Sequence, residues 1–278
     1  MRDKIEKIGK TIIHHGKSNN RIYLMKFSPD DAVTIAFNLE RSSSEYGYTK
    51  IFAKIPSESF PIFIINGYHI EACIPKFYNN TADCLFVSKF MDQNRSKIAP
   101  EELEVFMQLL GSNTNKNGNK KLKQSAYQII NLTENNANEI TGVFKKVFET
   151  YPFPVHDPTY IIKTMIEDGT RYYGIRDNKR LIGVSTAEID NINKNAEMTD
   201  FAVLPEYRGQ KLAYHLLHKM EAEMKADKIL TVYTIARLKE PAMNKTFLNS
   251  GYKYTGTLVN NTNIGGSIES MNILYKHL

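Results

Sequence analysis

Beyond residue 125 the apolar positions of this chain switch repeatedly between two periods. Alternating stretches predict strands over 127–132, 171–176, 180–189, 198–203, 229–235, 252–259 and 270–276. Between them, spacings of three and four predict helices. Ile140, Val143, Phe144, Val147 and Phe148 form one stripe behind a Thr133 or Asn135 cap. Leu212, Leu216, Leu217, Met220 and Met224 form another, on a helix over 212–226. Shorter helices are expected over 158–167 and 241–249, the second stopped by Gly251, and the turn Tyr151-Pro152-Phe153-Pro154 ends the first helix because each proline disfavours helix at the residue before it. The first 110 residues are less regular, with a helix over 29–39 and strands over 51–55 and 84–90. This alternation predicts an α/β (α+β) architecture in which helices flank a mixed sheet. The polar run Gly111-Ser112-Asn113-Thr114-Asn115-Lys116-Asn117-Gly118-Asn119-Lys120 has nothing to bury, so a linker is expected over 111–124, between an N-terminal domain over 1–110 and a second domain over 125–278.

Composition narrows this only a little. The 278 residues suffice for two cores, and 42% hydrophobic with 24% charged residues is ordinary for a globular chain. No apolar run approaches the ~20 residues of a membrane span, and no signal-peptide core follows Met1. The two cysteines, Cys73 and Cys84, read as buried thiols of a cytoplasmic protein. A net charge of +6 without an arginine-rich run argues against nucleic acid and suits either dispersed surface lysines or a polyanionic small ligand. His14 and His15 have no metal-ligand partners at suitable spacing and read as surface histidines, so no metal is expected.

The most informative segment is Leu204-Pro205-Glu206-Tyr207-Arg208-Gly209-Gln210-Lys211-Leu212-Ala213, between a strand and an amphipathic helix. A basic, glycine-containing turn that opens a helix offers unpaired N–H groups at the positive end of the helix dipole, a site suited to a diphosphate. It is not a P-loop, which needs Gly-Lys-Ser/Thr. It resembles the Arg/Gln-x-x-Gly-x-Gly/Ala loop with which Gcn5-related N-acetyltransferases hold the pyrophosphate of acetyl-CoA. Lys211 stands at the inner glycine of that pattern and is expected to keep helical dihedrals. The resemblance implies the acetyltransferase fold and acetyl-CoA as co-substrate. It assigns the coenzyme to Phe201, Ala202 and Val203, to Arg208, Gly209, Gln210, Lys211, Leu212 and Ala213, and to Asn244. Gly67-Tyr68 followed by Asn79-Asn80-Thr81 parallels Gly251-Tyr252 followed by Asn260-Asn261-Thr262, which suggests that the first domain echoes the last half of the same fold without a second coenzyme site.

The chemistry needs a base. An amine of pKa near 10.4 costs roughly 4–5 kcal/mol to neutralise at pH 7, so a carboxylate is wanted near the thioester. Glu197 and Asp200 are the catalytic candidates, on opposite faces of a regular strand unless a bulge brings them together; Glu188 and Glu269 are weaker ones. The family draws an oxyanion donor from the backbone, here near Val203. Phe247 stands where the family often has a tyrosine that protonates the leaving thiolate, and Tyr233, Tyr252 or water are the substitutes.

Thr199-Asp200-Phe201-Ala202, Tyr233-Thr234-Ile235-Ala236-Arg237, Met243-Asn244-Lys245-Thr246-Phe247, Gly256 to Ile264 and Glu269-Ser270-Met271-Asn272 are similar to the β-lysine N6-acetyltransferases, as are Gly67 to Pro75 and Tyr151 to Pro154. That resemblance implies transfer of acetyl to the terminal amine of β-lysine, giving a compatible solute. For the acceptor, Asp200 or Glu269 would meet an ammonium, and Arg237, Asn260, Asn261 and Asn263 would meet the carboxylate, although Asn260 to Asn263 also suit a plain turn. Other small amines, a protein lysine and a coenzyme-binding regulatory module without catalysis are the rival functions. No membrane or nucleic-acid partner is expected, and the oligomeric state is open.

Overall fold

The computed structural model describes residues 3–112 and 127–278. The chain builds two sheets. The first contains β1 (Lys4–Ile8), β2 (Thr11–Gly16), β3 (Arg21–Lys26), β4 (Lys50–Pro56), β5 (His69–Tyr78) and β6 (Ala82–Phe90), in the order β1-β2-β3-β4-β6-β5. Helix α1 (Ala32–Tyr46) joins β3 to β4, α2 (Phe60–Ile64) joins β4 to β5, and α3 (Pro100–Ser112) follows. The second contains β7 (Tyr127–Leu132), β8 (Arg171–Asp177), β9 (Arg180–Asp190), β10 (Asn195–Val203), β11 (Thr231–Arg237), β12 (Lys253–Ile264) and β13 (Ser267–His277), in the order β12-β13-β11-β10-β9-β8-β7. Helices α4 (Ala137–Val147) and α5 (Pro158–Ile166) lie between β7 and β8, α6 (Leu212–Ala226) between β10 and β11, and α7 (Pro241–Asn249) between β11 and β12.

The C-terminal elements fall close to their sequence-predicted positions because each has a buried stripe of the right period. Thr133 and Asn136 close a capping box before α4, and Asp157 caps α5 ahead of its Pro158. In the N-terminal part β1, β2, β3, β5, α2 and α3 escape the sequence reading. Gly111 and Ser112 end α3 rather than opening a linker, and the remainder of the expected linker lies outside the described residues. By packing, α3 sides with the second sheet: Phe106 meets the Tyr254 ring at 4.9 Å and Glu102 pairs with Lys239 at 2.9 Å.

The internal echo extends further than the last half. β1-β2-β3-α1-β4-α2-β5-β6 repeats the order, neighbours and directions of β8-β9-β10-α6-β11-α7-β12-β13, including one parallel pair, β3 with β4 and β10 with β11. Even the irregularities coincide. The β5–β6 ladder slips between Ile70 and Ala72 and between Ile74 and Tyr78; the β12–β13 ladder slips between Tyr254 and Gly256 and between Leu258 and Thr262. With Gly67 set on Gly251, these slips superpose, and left-handed Lys76 falls on left-handed Asn260. The asparagine triplets are therefore not counterparts: Asn79 falls on Asn263. The turn before α1 is also unlike the one before α6. Pro29-Asp30-Asp31 is acidic, and the Asp31 carboxylate accepts from the Lys10 and Thr11 N–H groups at 2.8 and 2.7 Å, which suits no phosphate.

The two sheets face each other. Tyr23, Phe52, Ala72, Ile74, Phe77, Cys84 and Phe86 from the first pack with Tyr233, Leu258, Met271 and Ile273 of the second in one apolar cluster. The equivalent positions Ala72 and Gly256 cross there. A Cβ on Gly256 would come within 2.0 Å of the Glu71 carbonyl oxygen, so only glycine admits the approach. At one end the seam is polar. Lys50 bonds Glu71 and the Val259 carbonyl at 2.8 and 2.7 Å, while Arg21 and Arg95 donate to the Asn261 and Asn260 carbonyls. At the other end, on the same face of β4 as Lys50 and Phe52, lies Lys54.

Candidate active site

Strands β10 and β11 pair only at Asn195–Thr231, Ala196–Val232 and Glu197–Tyr233. Both continue past that point without a ladder, so a cleft opens between them. A bulge helps to open it. The β9–β10 register slips between Thr199 and Ala202, with Asp200 in the left-handed region at φ +53. On the cleft side the β10 backbone after Glu197 lacks a strand partner, the setting expected for an oxyanion donor near Val203.

The loop after β10 turns through Pro205–Tyr207 and exposes Arg208, Gly209, Gln210 and Lys211. Gly209 has φ +79. Lys211 does not keep the helical dihedrals expected of it: it caps α6 in the left-handed region at φ +61, the conformation a glycine would adopt freely. The backbone N–H groups of Gly209, Gln210 and Lys211 have no hydrogen-bond partner among the described residues, and those of the first α6 turn point the same way. Nearby Glu206 is held by Arg180 at 2.6 Å, so its charge is balanced. Arg208 rests its Nε 3.3 Å from the Val203 carbonyl, and Gln210 accepts from the Tyr127 hydroxyl at 2.8 Å. Ala202 and Leu212 are buried under the loop, Ala213 is half-buried, and Phe201 lies edge-on to Phe247 at 5.5 Å. These residues fit a coenzyme diphosphate.

The cleft carries an unusual charge arrangement. Glu188 of β9 and Glu197 of β10 are direct cross-strand partners, and Tyr233 of β11 is next in the same row. Like charges placed opposite each other destabilise a sheet. Glu188 has accessible surface although protein surrounds it, so it lies in a recess open to solvent, and it makes no hydrogen bond or ion pair among the described residues. Burial, then the Glu197 and Asp200 charges, push its carboxyl well up from the usual range. Burial also raises Glu197, against the opposing pull of Lys54 and the Tyr233 hydroxyl. The bulge turns Asp200 toward this group; its carboxylate accepts from Tyr151 and from Thr186 at 2.7 Å, and burial raises it despite those bonds. Glu197 and Asp200 thus share one recess, but Asp200 is engaged by two hydroxyls while Glu197 has spare capacity.

Across the seam, the Lys54 ammonium donates to the Tyr233 hydroxyl at 3.0 Å. Burial works against its charge, and Tyr23, Glu197, Cys84 and Glu188 outweigh it, so the net shift is upward.

The other expected acceptor residues have different partners. Arg237 grips Glu269 through Nε and Nη2 at 2.9 and 2.8 Å and reaches Glu240 at 3.1 Å, so each occupies the other. The Asn260 side chain donates to the Arg95 and Lys97 carbonyls, and that of Asn263 to Ser18; Asn261 is buried beside Arg21. They tie the two sheets together. Asn244 is fully buried, donating to the Arg237 and Glu240 carbonyls and accepting from Asn272, so it braces β11 against α7 and β13. Tyr252 packs under Phe247 and Lys276, and Tyr233 is held by Lys54. His14 and His15 are not surface residues: both are 2% exposed, His14 against the Phe153 ring and His15 between Tyr48 and Glu6. Among the described residues no cluster of three or more His, Cys, Asp or Glu is placed to hold a metal ion, and no helix is long and apolar enough to cross a membrane.

Residues 138–246 match the acetyltransferase (GNAT) family. The β-lysine N(6)-acetyltransferase of Methanococcus maripaludis is 38% identical over 99% of this chain and 98% of its own. The chain belongs to the β-lysine N6-acetyltransferase family of GNAT acetyltransferases. It is an acyltransferase that uses acetyl-CoA. The N-acetyltransferase YodP of Bacillus subtilis is 31% identical over the whole of both chains. Among solved structures, the spermidine N-acetyltransferase of Vibrio cholerae in complex with CoA and spermine covers 55% of this chain and 96% of its own, at 18% identity and a TM-score of 0.47.

Sequence reasoning missed Lys54, Tyr151 and Thr186 as parts of the recess. Lys54 had a signal, being the one charge inside the apolar run Ile51-Phe52-Ala53-Lys54-Ile55. Tyr151 was legible as part of a helix-stopping turn and of the family resemblance, but not as a partner of Asp200.

Proposed function

We propose that the protein acetylates the terminal N6 amine of β-lysine, giving N6-acetyl-β-lysine. The observation that carries this reading is the Glu188–Glu197 row with Asp200 beside the opened β10–β11 cleft. Three carboxylates against one lysine make a recess with a deficit of positive charge, which a diammonium acceptor would supply. The identity of 38% to the β-lysine N(6)-acetyltransferase of M. maripaludis supports the same acceptor. Coenzyme contributes the thioester acetyl group and a thiol that leaves without help from Phe247. The protein's residues do the rest. Arg208 to Ala213 bind the diphosphate; Glu197, with its raised affinity for a proton, takes one from the N6 ammonium; Glu188 holds the second ammonium; Asp200 fixes Tyr151 and keeps the bulge. We read the first sheet with α1 and α2 as one domain and β7 to β13 with α4 to α7 as a second, on which α3 packs, the first domain walling the acceptor recess. The product loses one positive charge and becomes a net-neutral zwitterion, in keeping with a cytoplasmic compatible solute made for osmoadaptation.

The test is thiol release from acetyl-CoA with β-lysine, L-lysine and spermidine offered separately. A strong preference for β-lysine is expected. Equal turnover of all three would remove the acceptor assignment and leave a GNAT acyltransferase of other specificity.

A further inference from the structure

Lysines 50 and 54 stand on the same face of β4, four residues apart, and differ sharply in their partners. The Lys50 ammonium has Glu71 at 2.8 Å. The Lys54 ammonium has no ion pair among the described residues. It sits 5.4 Å from the Tyr233 ring centre and 6.0 Å from that of Phe77, with the Tyr233 hydroxyl as its one hydrogen-bond acceptor at 3.0 Å. An ammonium has three donors, so two remain unused. Lys54 keeps some accessible surface and has Glu197 and Glu188 in its surroundings, so its charge is held while its two remaining donors stay open to a ligand. It lies beside the carboxylate row, next to Tyr233, which is next to Glu197. A diamine alone would be repelled by it. An acceptor that also bears an anionic group would not.

We propose that Lys54, from the N-terminal sheet, binds the carboxylate of the acceptor and so selects a diamino acid over a plain diamine. The inference rests on the acceptor class assigned above. It gives the N-terminal sheet a direct role in specificity, with the ammonium groups on the C-terminal carboxylates and the carboxylate on Lys54. The two sheets then read opposite charges of one small zwitterion across the seam.

Initial rates with β-lysine and with 1,4-diaminopentane, which is β-lysine with its carboxyl group replaced by hydrogen, separate the possibilities. The wild type should favour β-lysine through KM. In Lys54→Met the KM for β-lysine should rise roughly 10- to 100-fold, the range for loss of a charge-assisted contact. The KM for 1,4-diaminopentane should stay level or fall, since a repelling charge is gone, and Lys54→Arg should restore much of the preference. Parallel losses on both acceptors would assign Lys54 a merely structural role and overturn the proposal. An unchanged preference in Lys54→Met would overturn it too. Even where the variant fails to fold, equal KM values for the two acceptors in the wild type refute the carboxylate anchor. A wild type that turns over other amines but not β-lysine refutes the acceptor assignment itself, and the anchor with it.

Discussion

Replacing Glu188 by glutamine should make the protein more stable and a poorer enzyme, with the stability gain confined to neutral and alkaline pH. Directly opposed strand residues place their Cβ atoms about 5 Å apart. Two unit charges at that distance repel by about 3 kcal/mol at an effective dielectric constant of 20 and by under ~1 kcal/mol in water. Glu188 is solvent-exposed, so the lower end applies, and about 1 kcal/mol is the expected gain. The sign follows from linkage. Glu188 and Glu197 both bind their protons more tightly in the fold than in the unfolded chain. Stability is therefore undiminished below the ordinary carboxylate range, near pH 4, and is lost as pH rises through the raised folded values. Urea unfolding of wild type and Glu188→Gln at pH 4.5 and pH 8.5 reads this directly. The curves should coincide at the acid pH and separate by about 1 kcal/mol at the alkaline one, or about 2 °C in Tm. In kinetics, the KM for the diamino acid should rise several-fold, because one of the two carboxylates of the row no longer meets an ammonium. A variant less stable than wild type at pH 8.5, or a gain independent of pH, would refute the reading of the row as unrelieved repulsion awaiting a cation.

Glu197→Gln should lower kcat about 10²- to 10⁴-fold, the span for a general base, while leaving coenzyme affinity alone. Asp200→Asn should cost less, since Asp200 is held by Tyr151 and Thr186, and a loss equal to that of Glu197→Gln in stopped-time assays would reassign the base. Lys211→Gly should relieve the left-handed strain, worth up to about 1 kcal/mol, and so raise Tm slightly. The same change should weaken acetyl-CoA binding a few-fold in calorimetry by removing an exposed cation from the loop; tighter binding would show that the charge contributes nothing. Glu71→Gln leaves Lys50 without its carboxylate in a buried network, and a loss of about 3–5 kcal/mol is expected in urea unfolding. A loss below ~1 kcal/mol would mean that the polar end of the seam is looser than its hydrogen bonds indicate.

The order of elements after residue 125 and the anion loop were decided locally. Hydrophobic period, caps and the Tyr151–Pro154 turn act over a few residues, and a sequence records them in place. Arg208 to Ala213 need only a strand end before and a helix after. The glycine dipeptides at Gly67 and Gly251 likewise betrayed the internal echo, because the turn that each opens is a local requirement. The N-terminal strands were hidden for a physical reason. β3 and β4 are covered on both faces, one by α1 and α2 and the other by the second sheet; Arg21 and Lys50 point into the polar end of that seam and Lys54 into its aromatic end, and the three charges spoil the alternation.

Only the tertiary structure decided who meets whom across that seam. Asn260, Asn261 and Asn263 looked like acceptor ligands because the sequence shows donors and not their partners; the fold gives those partners to Arg21, Arg95, Ser18 and Asn19. Arg237 and Glu269 looked like two functional groups and are one ion pair. Glu188 meets Glu197 across the hairpin of β9 and β10, whereas Lys54, distant in the chain, becomes their neighbour only through the packing of two sheets. A packing angle between sheets is a property of long-range contacts, and no short window of sequence encodes it.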